Sequence, residues 1–297
     1  MQFKAVPGYF AAYPNAGFQG LDSTKNDHLQ LINHNDWKEL YHAIPKDTRN
    51  CHYKLLILAR HGQGYHNAAI SRYGMEEWDA YWSLLSGDEH GEWFDSRLTP
   101  LGKEQVRGTG TNVLLPMIKQ LGMLPHVFFS SPMRRCLETF IESWTPVLTE
   151  IQKPPSGNVI STRIIESLRE TLGSHTCDKR VNHSVTVGEY QDFPTDSGHT
   201  VHWHYVTDYS EEDELWLVDH RETNPELDMR TQDGLSQLFS QLSSEERFVS
   251  LTCHSGVIQS VLRNLKHPPI YNLETGKVVG IVVEVPINVE DEVEAEA

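Results

Sequence analysis

The stretch Leu55-Leu56-Ile57-Leu58-Ala59-Arg60-His61-Gly62-Gln63-Gly64 constrains this chain more than any other. An apolar run of strand length stops at a cation and an imidazole. Two turn-forming glycines follow, and Tyr65-His66-Asn67-Ala68-Ala69 can then open a helix. A strand that is apolar throughout belongs inside a sheet covered on both faces. In such sheets ligands sit at the carboxyl ends of the strands, so Arg60 and His61 are positioned to meet an anion.

The same grammar recurs downstream. Val127-Phe128-Phe129 reads as a short buried strand, and Ser130-Ser131-Pro132-Met133-Arg134-Arg135 leads into a helix. Val159 to Ile165 is a strand leading to Glu166-Ser167-Leu168-Arg169-Glu170, and Phe248 to Cys253 is another, leaving through His254-Ser255-Gly256 into a helix from Val257 to Leu265. Thr99-Pro100 carries the cap and first-turn proline of a helix start, Asp228 to Leu242 is helical, and Lys277 to Val285 is the last strand. Alternating strands and helices predict an α/β fold, a three-layer α/β/α sandwich around a mostly parallel central sheet. Residues 51–286 are expected to form one domain with cap insertions at 71–96 and 174–215. Residues 1–50, with Phe3, Tyr9, Phe10, Tyr13 and Phe18, are expected to pack on that core as an extension, with a helical piece near Trp37 to Tyr41. Residues 287–297 are an acidic tail of disordered composition.

Charge and cysteines narrow the partners. With 25 basic and 41 acidic residues the net charge is −16, which argues against nucleic acid and against a basic membrane-binding face. No run has the length of a membrane span, and Met1 to Gly8 lacks a secretory apolar region, so a cytoplasmic or nuclear location is expected. Cys51, Cys136, Cys177 and Cys253 are far apart and form no C-x-x-C pair, so reduced thiols are expected.

Three strand ends carry the chemistry: Arg60 with His61, Arg134 with Arg135, and His254. Gathered on one sheet edge, guanidinium forks and imidazoles suit a tetrahedral phosphoryl group, and one imidazole can attack phosphorus to give a phosphohistidine. A carboxylic acid must then protonate the leaving alkoxide and afterwards activate water. Glu170 is the candidate, and Glu166 its rival.

With these residues in order, the chain resembles the histidine phosphatase superfamily, the phosphoglycerate mutase-like family. The resemblance rests on Arg60-His61-Gly62 with Asn67 five residues later, Leu98 to Gly102, Ser131 to Arg135 with Thr139, Leu168-Arg169-Glu170 and Cys253 to Gly256. Arg60-His61-Gly62-Gln63-Gly64-Tyr65-His66-Asn67 and Gly173 to Arg180 look like the fungal and plant mutase-like branch, and within it the yeast probable phosphomutase group. The resemblance implies that His61 is the nucleophile, that Arg60, Arg135 and His254 bind the phosphoryl group, that Asn67 completes the floor, and that Glu170 is the proton donor. It favours Arg135 over Arg134, because the family's Ser-x-Leu-x-Arg spacing falls there, with Met133 in place of Leu. Gln63 and Gly64 stand where mutases commonly have Glu and Ser.

Other chemistries lack their parts. Neither Gly102-Lys103 nor Gly276-Lys277 completes a P-loop, and no cysteine has an Arg six positions on. Cys253 to Val257 lacks the glycines of a serine-hydrolase elbow. His175, Cys177, Asp178, His199, His202 and His204 are metal-capable types, but phosphohistidine chemistry needs no metal, and no metal or cofactor is expected. The expected activity is a phosphatase acting on a small phosphorylated substrate. The alternatives are a phosphomutase, for which Lys179, Arg180 and Arg221 are candidates for a second clamp, and a non-catalytic phospho-ligand-binding protein.

Overall fold

The structure is a computed structural model in which residues 2–13, 28–151, 159–271 and 273–287 are described. In chain order the main elements are β1 (Lys4–Val6), α1 (Trp37–Ala43), β2 (Cys51–Arg60), α2 (Tyr65–Tyr73), α3 (Met75–Ala80), the ribbon β3 and β4 (Gly87–Asp88 and Gly91–Glu92) and α4 (Pro100–Thr109). Then come α5 (Leu115–Leu121), β5 (Val127–Ser130), α6 (Arg134–Glu150), β6 (Val159–Ile164), α7 (His183–Tyr190) and β7 (Phe193–Pro194). The last are β8 (Thr200–His204), α8 (Asn224–Ser240), β9 (Phe248–Cys253), α9 (Ser255–Asn264) and β10 (Val278–Pro286).

Among the described residues, eight strands form one sheet in the order β1-β10-β2-β9-β5-β6-β8-β7. The five strands from β2 to β8 in that order are mutually parallel, and β10, β1 and β7 complete the edges through antiparallel pairs. The α/β architecture expected from the alternation of apolar runs is therefore the one observed. Strand periodicity assigns the two faces: Leu56 and Leu58 of β2 pack with Leu235 and Leu238 of α8 and Val257 and Val261 of α9. Leu55 and Ile57 face the other way, toward Leu40 of α1, Met117 of α5 and Phe140 and Trp144 of α6.

Two stretches differ from their expected form. Part of the 174–215 region is sheet and not cap, because β8 pairs in parallel with β6 and β7 covers β8. The physical reason is that only Val201 and Trp203 of β8 turn into the core, so an edge strand flanked by histidines carries too little apolar signal to stand out. The first residues likewise supply a sheet strand, β1, with Phe3 and Ala5 fully buried against the α8 and α9 layer. Phe18, which lies within residues 14–27, and the acidic tail from residue 288 onward fall outside the described residues.

The 71–96 region builds a small apolar cluster of its own. Trp78 and Trp93 pack with Ala69 and Cys177, and Tyr65, Ile70, Tyr73, Trp82 and Leu85 surround them. This cluster stands beside the carboxyl ends of β2, β9 and β5, where Tyr73 stacks on Trp82 at 4.0 Å. Among the described residues no helix is long and apolar enough to cross a membrane.

Candidate active site

The three chemistry-bearing strands are neighbours, so their ends meet. Because β2, β9 and β5 are adjacent and parallel, Arg60-His61, His254 and the start of α6 leave the sheet at one edge. The helices that follow, α2, α9 and α6, direct their N-termini there, and the partial positive charge of a helix N-terminus favours an anion.

His61 is 1% exposed and shares its Nδ1 with the Gly62 carbonyl at 2.8 Å. A carbonyl only accepts, so Nδ1 carries the hydrogen and Nε2 keeps its lone pair. The Gly62 N–H in turn donates to Thr139 Oγ1 at 3.0 Å, tying the turn after β2 to α6. Gly102 of α4 packs so closely on the Gln63 carbonyl that a Cβ there would approach it to 2.1 Å, and Thr99 Oγ1, the cap of α4, bonds Gln63 as well. The turn carrying the nucleophile candidate is thus held from two helices.

His254 lies edge-on to His61 with ring centroids 5.2 Å apart. Arg135 Nε donates to His254 Nδ1 at 3.2 Å. Guanidinium has no lone pair to offer, so His254 carries its hydrogen on Nε2, which faces Ser131 Oγ at 2.8 Å. Arg135 also donates to the Cys177 carbonyl at 2.7 Å and to Asp178 Oδ1 at 2.9 Å. Both Arg135 and His254 are fully buried behind His61. Burial, then Arg135 and Arg60, holds the His61 pKa well below that of a free imidazole. His254 is depressed in the same way, by burial, Arg135 and His61. Both rings are neutral at physiological pH.

A cleft of about 530 Å³ opens over this floor. Arg60, His61, Asn67, Glu170, Ser255 and Gly256 line its inner end. Arg60 donates an Nη1–H to the Leu273 carbonyl, while its buried Nε–H has no acceptor. Asn67 accepts the Gly64 N–H at 3.0 Å and so caps α2 while facing the cleft.

The two carboxyl candidates separate clearly. Glu170 accepts the Thr171 N–H and, from the start of α9, the Gly256 N–H, both at 3.0 Å. Arg230 of α8 fixes the loop that carries it, donating to the carbonyls of Ser167, Arg169 and Glu170 at 3.0, 2.9 and 3.0 Å. Glu166 points elsewhere, bonding Arg169 at 2.8 Å, Arg180 and the Tyr209 hydroxyl. The adjacent arginines separate as well. Arg134 donates to Asp95, to the Phe94 carbonyl and to Glu189 of α7, away from the cleft.

Of the three candidate second clamps, Arg221 alone lines this cleft. Lys179 lies over the Trp216 ring and Arg180 is buried among the carbonyls of Val181, Ser210 and Glu212. The metal-capable residues also divide. His175, Cys177 and Asp178 offer ligand atoms within 4.8 Å of one another. Asp178, however, is already paired with Arg135 and Arg221, two cations that oppose a metal ion. His202 instead pairs with Asp192 on the sheet edge. All four cysteines are free.

His66 is the residue that sequence reasoning passed over. It lines the cleft, is 8% exposed, lies 5.5 Å from His61 between ring centroids, and its buried Nδ1 has no partner. Burial, Arg135 and His61 hold it neutral. Its one sequence signal is its place on the first turn of α2, next to Asn67 and one helix start away from His61.

No family profile matches the chain. Full-length relatives do. The "Probable phosphoglycerate mutase PMU1" of Saccharomyces cerevisiae is 80% identical over 291 residues, covering 98% of this chain and 99% of that protein. A "Probable phosphoglycerate mutase" of Arthroderma benhamiae is 30% identical, covering 96% of this chain and 85% of its own length. "Phosphoglycerate mutase-like protein 1" of Arabidopsis thaliana is 30% identical over 73% of this chain and 74% of its own. The likeness to the first two runs over nearly the whole chain, site and insertions together, and the chain belongs to the phosphoglycerate mutase-like family.

Proposed function

We propose that the protein is a phosphatase that hydrolyses a small organic phosphate through a phosphohistidine on His61. The observation that carries this reading is the tautomer of His61: a neutral ring whose Nδ1–H is held by Gly62, leaving the Nε2 lone pair free for phosphorus.

In the first step Nε2 attacks phosphorus as the P–O bond to the alcohol breaks, and the proton of Glu170 in its acid form goes to the leaving oxygen. In the second, Glu170 takes a proton from water, the hydroxyl oxygen attacks phosphorus, and the P–N bond returns its electron pair to His61. The Arg60 Nε–H and the N-terminus of α9 stabilise charge on the phosphoryl oxygens. Arg135 acts from behind the ring. With burial, its charge keeps His61 and His254 neutral, and the His254 Nε2–H passes from Ser131 Oγ to a phosphoryl oxygen as the group arrives. His66, unpartnered and facing the cleft, binds the ester oxygen or its alcohol. Glu170 is the proton carrier by position, since Glu166 is occupied by Arg169, Arg180 and Tyr209.

The relatives' names favour the mutase alternative, and one experiment separates the two. The protein is incubated without added metal on phosphoglycerates, sugar phosphates and nucleotides, with free phosphate and isomeric products both measured, beside His61→Ala. Phosphate release lost in His61→Ala is expected. Isomerisation exceeding release would establish the mutase, and equal turnover by both proteins would remove phosphohistidine chemistry.

A further inference from the structure

Beyond the phosphate end, the cleft has a wall with a chemistry of its own. Helices α2 and α3 present Ile70, Met75 and Trp78, and Met75 is 58% exposed although large and apolar. Opposite stand Thr171, His175, Asp178 and Arg221, with Asp79 at the rim, its side chain 57% exposed.

The charge of this outer half is unfavourable to a second anion. Arg221, which lines it, is drawn to the carbonyls of Thr171 and Gly173 at 2.7 and 2.8 Å and to Asp178 Oδ2 at 2.8 Å. Burial would push the Asp178 carboxyl up, but Arg221 and Arg135 hold it below its ordinary value, so it is ionised. His175, 3.8 Å from Asp79, is kept neutral by burial and Arg221 and does not cancel that carboxylate. Two guanidiniums, Arg135 and Arg221, are therefore both committed to Asp178, and neither is free for a further anion. A phosphoglycerate, whose carboxylate must sit a few bonds from the phosphate, would bring a third negative group into this space without an unshared cation to meet it. An apolar or flat alcohol would instead cover Ile70 and Met75 and remove their surface from water.

We infer that the substrate is a phosphate monoester with a single anionic group, whose alcohol part is apolar or aromatic and lies on the Ile70, Met75 and Trp78 wall. For turnover this rests on the phosphatase reading, while the binding preference can be measured without it.

Two measurements keep the inference and the reading apart. Dissociation constants are determined calorimetrically for three non-hydrolysable probes: benzylphosphonate, methylphosphonate and phosphonoacetate. Benzylphosphonate is expected to bind about tenfold or more tighter than either of the others, the discrimination a well-placed apolar contact supplies. The double variant Ile70→Asn with Met75→Gln should shrink the benzyl-to-methyl ratio by about tenfold. Phosphonoacetate binding as tightly as benzylphosphonate, or a ratio unchanged in the variant, overturns the inference. In parallel, release of phosphate from benzyl phosphate is followed in wild type and His61→Ala. Tight benzylphosphonate binding without His61-dependent release would retain the pocket assignment and overturn the hydrolytic reading.

Discussion

At the inner end of the cleft, His61, His254 and Arg135 are held by hydrogen bonds between adjacent strand ends, Gly62, Ser131 and Thr139 among the partners. At the mouth, the 166–222 segment is held by arginines that bond groups within the same segment. Arg169 bonds Asp213 and the Asp178 carbonyl, Arg180 the carbonyls of residues 210 and 212, and Arg221 Asp178. The inner end is a local consequence of apolar strands ending in turns. The mouth is an electrostatic assembly, in which each buried cation needs a carboxylate or carbonyl partner supplied by the same inserted segment. Chemistry and selectivity are thus stabilised by different interactions, and each can be disturbed separately.

The largest effect should come from the floor. His61→Ala is expected to lower kcat/KM by about 10⁴-fold or more, as loss of a nucleophile does, with no phosphoenzyme trapped on acid quench. Glu170→Gln should cost about 10² to 10⁴-fold, the range for a general acid, while Glu166→Gln stays within about tenfold of wild type. Equal losses in the two glutamine variants would show that the loop, and not the side chain facing Gly256, is what matters. At the junction of the two regions, Asp178→Ala leaves Arg135 buried without its carboxylate and should lower unfolding free energy by about 3–5 kcal/mol in a urea titration.

Gly256→Ala tests the floor by a single methyl group. A Cβ at this position would lie 2.1 Å from Glu170 Oε1, so the carboxyl must move. A displacement of this size is expected to reduce kcat by about 10²-fold with the urea midpoint nearly unchanged. The last test changes pH and no residue. His61, His66 and His254 all have folded-state pKa values below the 6.5 of a free imidazole, chiefly through burial. The unfolded chain therefore binds more protons just below that value, and stability present above pH 6.5 is lost as pH falls, by up to about 1.4 kcal/mol per unit for each ring. Urea midpoints measured between pH 7.5 and 5.5 check the sign, and a midpoint rising toward low pH would contradict neutral rings.

The contrast between floor and mouth also explains what could be read in advance. Strands β2, β5 and β9 were legible because buried parallel strands are mostly apolar and stop at glycine, proline or polar turns. Arg60, His61, Arg135 and His254 then stand at their ends, and the adjacency of those strands brings them together. Strand β8 was not legible, since an edge strand with two inward residues looks like polar loop. The choice between Glu166 and Glu170 could not be made from spacing, because both follow β6 within six residues. It depends on Arg169 and Arg180 drawing one away and Gly256 receiving the other. His66 escaped notice because its significance is an unpaired ring nitrogen, a property of packing and not of residue type.

The position of Asp178 between Arg135 and Arg221 has a consequence for altering this protein by design. One wall of the cleft is bolted to its floor through that carboxylate, and mutational libraries placed at residues 175–178 are expected to return mostly inactive or unfolded clones. The opposite wall, Ile70, Ser71 and Met75 on α2 and α3, shares no ion pair with the floor. Directed evolution toward new alcohol groups therefore has one permissive face on which to work.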